Sequence, residues 1–281
     1  MSSLTSHSLH FPLDEVNYRL EHIRENLFNI VNTAFDIQAR LKIKKNLSDT
    51  EEKIYLDQAD QFMENFLVEL ISSKFTNDFF LCEGMGEILG KNDFRWIIDA
   101  VDGTMNFLRE IPLFCISIGL QYRNTVVCGI VIVPSTKEIY YTILGQGAYK
   151  NEGKISVSAI SNLDRALLIS SFPNKNSNMR EIISEISAFV STCRSIRRTG
   201  SFVLDLCWIA EGKVDGVWEK DVNIFDMGAA GLLIQEADGK YTNFLGESIV
   251  SYPSSVVVSN KHIHTQILEV LKKTHQELNL N

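Results

Sequence analysis

Trp96-Ile97-Ile98-Asp99-Ala100-Val101-Asp102-Gly103-Thr104-Met105-Asn106-Phe107 turns an apolar run abruptly into two carboxylates, a glycine and a hydroxyl. The run reads as a strand that delivers Asp99 and Asp102 to its end, where hard oxygen ligands can hold a small divalent cation such as Mg2+. Gly103 permits close backbone approach, and the amides around Thr104 and Met105 can face an anion if a helix starts there. A strand closing in an ordinary Asp-Gly turn accounts for the same residues. The reading therefore depends on what the rest of the chain sets beside them.

Three further acids stand in suitable contexts. Glu83 follows the apolar run Phe79-Phe80-Leu81-Cys82, so it too lies at a predicted strand end. Asp60 precedes Phe62, Met63, Phe66, Leu67 and Leu70, whose spacing is helical, and it is expected to cap or open that helix. An ordinary N-terminal carboxylate accounts for it equally well. Asp226 sits in Phe225-Asp226-Met227-Gly228-Ala229-Ala230-Gly231, at the start of a helix whose first turn is made of small residues. Such a turn admits a ligand or another backbone, and tight helix packing explains it just as well.

The periodicity predicts alternating helices and strands. Val16, Leu20, Ile23, Leu27, Ile30, Val31, Ala34 and Ile37 mark one long amphipathic helix after Pro12. A helix over 60–70 and strands over 79–82 and 96–98 follow. Alternation over 114–122, 126–133 and 138–142, with turns at Arg123-Asn124 and Pro134-Ser135, predicts an antiparallel meander. Later come strands over 166–170 and 216–219 and helices over 180–190, 201–211, 226–237 and 262–275.

These segments together resemble the inositol monophosphatase family, within the lithium-sensitive, Mg2+-dependent phosphatases that also include fructose bisphosphatases and phosphoadenosine phosphate nucleotidases. The resemblance runs from the Asp60 helix through Glu83, the D-x-x-D-G-T segment and Ile116-Ser117-Ile118-Gly119. It resumes at 145–153, at Arg198-Thr199-Gly200-Ser201 and over 226–239. It implies a layered αβαβα sandwich of the α/β (α+β) class, with residues 1–281 as one unit: a metal-binding half to about residue 150 and a substrate-completing half beyond it.

Carried over residue by residue, the resemblance implies that Glu83, Asp99 and the Val101 carbonyl ligate one Mg2+, and that Asp99, Asp102 and Asp226 hold a second, in a site of two or three ions. Thr104 with Glu83 would orient the attacking water, and Asp60 would support that water or threonine through hydrogen bonds. The amides of Gly103 and Thr104 would receive phosphate oxygens. Glu219, seven residues before Asp226, would bind sugar-alcohol hydroxyls, with Asp102 sharing the task and Ser201 completing the substrate set. The expected activity is hydrolysis of a small phosphate monoester, inositol 1-phosphate foremost, by a homodimer. The alternatives are a phosphoadenosine phosphate nucleotidase, another small-ester phosphatase, or a weakly active regulatory scaffold.

Physical chemistry supports such a site independently. Phosphate monoester hydrolysis is among the slowest uncatalysed reactions, with enzymatic accelerations up to about 10²¹-fold. Two cations roughly 3.5–4 Å apart neutralise the dianion and stabilise the leaving alkoxide. The chain departs from the family pattern at four places. Gly84 stands where a second glutamate is usual, which puts a third ion in question. Ala100 replaces a common proline, Phe225 a tryptophan, and Phe202 a small residue near the substrate.

Length and composition are those of an ordinary soluble globular chain: 281 residues, 45% hydrophobic and 22% charged. A net charge of −8 argues against general nucleic-acid affinity. Lys42-Ile43-Lys44-Lys45 and the arginines over 194–198 read as solvated faces. The five cysteines, Cys82, Cys115, Cys128, Cys193 and Cys207, read as reduced core residues. His262 and His264 are expected at the surface rather than on a metal. No signal peptide or run of ~20 apolar residues is evident, so no membrane association and a cytoplasmic location are expected.

Overall fold

The first apolar stripe forms two helices in the computed structural model, which describes residues 11–41, 48–170 and 178–278. Helices α1 (Leu13–Glu25) and α2 (Leu27–Arg40) meet at Asn26, where φ −97° and ψ 6° leave helical geometry and the side-chain amide donates to His22 O at 2.8 Å. Helix α3 (Asp49–Ser72) starts eleven residues before the predicted Asp60, because Ser48 and Glu51 form a reciprocal capping box. Asp60 thus lies in the helix interior and does not cap it. Apolar spacing shows only where a helix becomes buried, and the first turns of α3 are polar and largely exposed.

Strands β1 (Phe79–Cys82), β2 (Gly86–Ile88), β3 (Phe94–Asp102), β4 (Cys115–Tyr122), β5 (Thr125–Val133), β6 (Glu138–Ile143), β7 (Gly147–Lys150) and β8 (Gly153–Ile155) form one sheet in the order β2-β1-β3-β4-β5-β6-β7-β8. The predicted meander is β4 to β6, and the β7–β8 hairpin extends it. Only β1 and β3 run parallel in this sheet. The short helix α4 (Thr104–Leu108) follows β3 directly.

The rest of the chain gives β9 (Leu167–Ser170), α5 (Met179–Val190), β10 (Ser195–Arg197), α6 (Phe202–Ala210), β11 (Gly216–Val222), α7 (Ile224–Gly228), α8 (Ala230–Glu236), β12 (Lys240–Thr242), β13 (Ser254–Ser259) and α9 (His264–Glu277). Its strands make a second sheet, β10-β9-β11-β13-β12. Three apolar clusters cement five layers. Val16, Ile30, Met63 and Leu67 join α1–α3 to the first sheet. Leu206, Ile209 and Leu233 join α6–α8 to both sheets. Phe189, Trp218 and Ile267 join α5 and α9 to the outer face of the second sheet. The result is an αβαβα sandwich.

The predicted helix over 226–237 is broken into α7 and α8 at Ala229. The small residues there do serve close packing: a Cβ on Gly119 would come within 2.6 Å of Gly228 O. His264 corrects another expectation, being buried with its ring held between Thr242 Oγ1 and Ser259 Oγ, each at 2.9 Å. Burial pushes its pKa down to about 4, with Lys240 adding to the fall. The cysteines are free thiols, and all but Cys193 are buried. Arg194, Arg197 and Arg198 are exposed, whereas Lys42-Ile43-Lys44-Lys45 lies outside the described residues. Among the described residues no helix is long and apolar enough to cross a membrane.

Candidate active site

Residues three apart on a regular strand face opposite sides, so Asp99 and Asp102 should diverge. They do not, because β3 is bulged. Asp99 lies opposite Ser117 and Asp102 opposite Cys115, so three steps on β3 match two on β4. The extra residue shifts the alternation and brings both carboxylates to one side. Parallel pairing of Cys82 with Ile98 continues as Glu83 N–H donates to Ile98 O at 3.2 Å, which sets Glu83 beside Asp99.

Asp226 comes from the first turn of α7, where its Oδ2 accepts the Asn223 N–H at 2.7 Å in a capping box. Carboxylate oxygens of Asp99, Asp102 and Asp226 lie within 4.8 Å of one another. From the opposite side, α3 presents Asp60 to the Thr104 hydroxyl. That hydroxyl donates to Val101 O at 3.0 Å. Gly103, at φ 90°, turns the chain from β3 into α4, a conformation that suits glycine.

Asp102 also ties the end of β3 to the start of α6. Its carboxylate accepts the Ser201 hydroxyl and the N–H groups of Phe202 at 3.2 Å and Val203 at 2.9 Å, so it caps α6 from another strand. The Cys115 thiol adds a contact at 3.5 Å. Ser201 is buried with its hydroxyl turned to Asp102. Glu219 stands in β11 just before a bulge, and its charge acts on both Asp226 and the buried Asp205.

Three residues to which the sequence reading assigns no role shape this region. Asn106 donates to Leu113 O at 2.6 Å and Thr199 O at 2.9 Å, and Asp205 accepts the Thr199 hydroxyl at 2.6 Å, so both brace the Thr199-Gly200-Ser201 loop. Asp205 is conspicuous in retrospect as the sole acid within the apolar α6. Glu64, one turn beyond Asp60 on α3, is buried against the Gly84 and Met85 amides.

Burial and mutual repulsion raise the carboxyl pKa values throughout. Asp99 goes well above the usual range through burial and then the charges of Asp102, Glu83, Asp226 and Asp60. Burial also raises Asp102, against the pull of Ser201, Cys115 and the α6 amides. Glu83 is open to solvent on one side, yet crowding, then Asp102 and Glu64, push it up. Asp60 is pushed up to about 8, by burial first and then Glu83, Glu64 and Asp57. Asp226 is pushed up to about 7, by burial first and then Asp102. Convergent carboxylates that resist ionisation are the donor set a divalent cation requires, and the fit favours a hard ion with oxygen ligands.

A pH dependence follows for protein stripped of divalent cations with EDTA. Folded Asp60 and Asp226 hold protons up to about pH 8 and 7, whereas in the unfolded chain they release them near pH ~4. Their stabilising contribution is therefore complete below about pH 4 and is lost as pH rises through 7 to 8. The thermal midpoint of the stripped protein should fall between about pH 5 and pH 8.5, and Mg2+ should reverse the fall while releasing protons. A midpoint that rises over this interval would contradict these assignments.

Known proteins resemble this chain over most of its length. The model of the inositol monophosphatase family matches residues 13–276. The inositol-1-monophosphatase of Rhizobium meliloti (strain 1021) is 35% identical over 221 residues, 78% of this chain and 83% of that one. A protein named Nus factor SuhB from Vibrio cholerae serotype O1 is 33% identical over the same shares. Among solved structures, the extragenic suppressor protein suhB of Bartonella henselae has a TM-score of 0.81 at 27% identity, covering 90% of this chain and 98% of that one. The inositol monophosphatase of Anabaena (Nostoc) sp. PCC 7120 has a TM-score of 0.72 at 28% identity, over 89% and 96%.

Proposed function

The chain belongs to the inositol monophosphatase family and is a phosphomonoesterase, from which we propose that it hydrolyses a small sugar-alcohol phosphate, inositol 1-phosphate foremost, at the carboxylate cluster on β3. The observation that carries the reading is the set of Asp99, Asp102 and Asp226 oxygens within 4.8 Å of one another. Glu83, Asp99 and Val101 O would hold one Mg2+, and Asp99, Asp102 and Asp226 a second. Bound there, Mg2+ neutralises the phosphate dianion and makes water more acidic.

The chain's own groups do the rest. Thr104 and Glu83 orient a water in line with the ester bond, and Asp60 is a positioning residue that holds the Thr104 hydroxyl. As the water oxygen bonds to phosphorus and gives up a proton, the P–O bond to the alcohol breaks and the leaving alkoxide takes up a proton from water, leaving alcohol and inorganic phosphate. The Gly103 and Thr104 amides receive phosphate oxygens. Ser201 serves the substrate through Asp102, whose carboxylate it fixes. Glu219 accepts hydrogen bonds from neighbouring hydroxyls and repels a second phosphate, which disfavours fructose bisphosphate and phosphoadenosine phosphate.

A comparison of kcat/KM for inositol 1-phosphate, phosphoadenosine phosphate, fructose bisphosphate and histidinol phosphate tests this choice. Inositol 1-phosphate should rank first. Because a hydrogen bond to a charged group contributes about 1.5–3 kcal/mol, Glu219→Gln should lower its kcat/KM about tenfold and leave the poorer substrates little changed. A tenfold preference for phosphoadenosine phosphate would replace the polyol reading.

A second reading has a specific basis: relatives at similar identity carry the name Nus factor SuhB. Here the chain would be a regulatory partner with weak catalysis. Mg2+ binding without phosphate release across the same panel would favour it. Light scattering of the purified protein would test the homodimer implied by the family.

A further inference from the structure

Glu64 is fully buried, and its carboxylate makes two hydrogen bonds with the turn that leaves β1: Oε1 accepts Gly84 N–H at 2.7 Å and Oε2 accepts Met85 N–H at 2.8 Å. Glu83 opens that turn, and β1 and β2 pair on either side of it at Cys82 and Gly86. The two amides point away from the hairpin ladder and are satisfied by a helix that reaches the turn from another layer. Hydrogen bonds of this charge-assisted kind are about twice as strong as neutral ones and offset part of the penalty of burying a carboxylate.

The fit at residue 84 is close. A Cβ there would meet Glu64 Oε2 at 3.0 Å and Oε1 at 3.4 Å, so a side chain at this position makes the carboxylate give by a few tenths of an ångström. Asp60 and Glu64 lie one turn apart on α3 and share a face. One helix thereby supports both Thr104 and the Glu83 turn.

We propose that Glu64 is a positioning residue for Glu83, gripping the Gly84 and Met85 amides so that the Glu83 carboxylate is held toward Asp99 and the cation site. This rests on the reading of Glu83 as a Mg2+ ligand. Groups that orient a ligand from behind typically contribute 10- to 100-fold to metal affinity. Glu64→Gln keeps size and one acceptor but sets an amide N–H against a backbone N–H.

Calorimetric titration of Mg2+ into EDTA-treated wild type, Glu64→Gln and Gly84→Ala tests the role. Glu64→Gln should weaken Mg2+ binding about 10- to 100-fold, and turnover should recover largely when Mg2+ is raised to saturation. Gly84→Ala, whose methyl presses on the carboxylate, should weaken binding in the same direction, and it decides the matter if Glu64→Gln does not fold. A lowered thermal midpoint with unchanged Mg2+ affinity in the folded variants would overturn the positioning role while leaving the metal site intact. Wild type that binds no Mg2+ would overturn the reading of the site, and this inference with it.

Discussion

Asp99→Asn is expected to cut phosphate release by about a thousandfold while leaving the fold in place. Cation stabilisation of the transition state is worth several kcal/mol, and at 1.36 kcal/mol per factor of ten the loss of the ligand proposed to be shared by two cations reaches about three orders of magnitude. Asn is nearly isosteric and its carbonyl can still accept the Val101 N–H, which lies 3.2 Å from Asp99 Oδ1. It also removes a charge that burial, Asp102, Glu83 and Asp226 oppose. The EDTA-treated variant should therefore melt no earlier than wild type at pH 8, and its midpoint should respond less to Mg2+. Single-turnover phosphate release and melting curves check both parts. Near-normal turnover in a folded variant would sink the assignment of Asp99.

Asp78→Ala is expected to destabilise the fold by about 3–5 kcal/mol, the cost of removing one partner of a buried ion pair. Asp78 receives Arg19 at two points, both 2.8 Å, together with Trp96 Nε1 at 2.9 Å and Asn92 Nδ2 at 2.6 Å. The Arg19 guanidinium lies 3.7 Å from the Phe94 ring centroid, and the two charged side chains are 5% and 1% exposed. Alanine leaves that buried cation with only the largely exposed Glu15 carboxylate, 2.8 Å from Nη1, as an anionic partner, against total stabilities of about 5–15 kcal/mol. Asp78→Asn, which retains an acceptor, should lose less. Urea unfolding measures the difference, and a loss below about 1 kcal/mol would mean that water replaces the carboxylate. Trp96 lies on β3 three residues before Asp99, so the pair also anchors α1 to the strand that carries the site.

The chemistry of the chain was legible along one dimension wherever neighbouring residues act together. The strand ending in Asp99 and Asp102, the glycine that turns it, the strand before Glu83 and the meander over β4 to β6 all depend on local alternation and turn residues. The αβαβα order followed from the resemblance carried by those motifs. Helix ends are less legible. Asp60 reads as a terminal residue because the polar turns upstream of it carry no apolar signal, and Asn26 and Ala229 interrupt stripes whose spacing is continuous.

What the sequence determined by itself was which acids are available and which segments deliver them. What only the tertiary structure decided was how they meet. The bulge that turns Asp99 and Asp102 to one side depends on pairing with β4, and the cap that Asp102 places on α6 joins residues a hundred positions apart. Glu64 finds its partners twenty residues away only because α3 packs across the β1–β2 turn. Propensity and pattern act over one or two turns of chain, whereas a buried carboxylate must be satisfied by whichever donors the packed layers bring within about 3 Å.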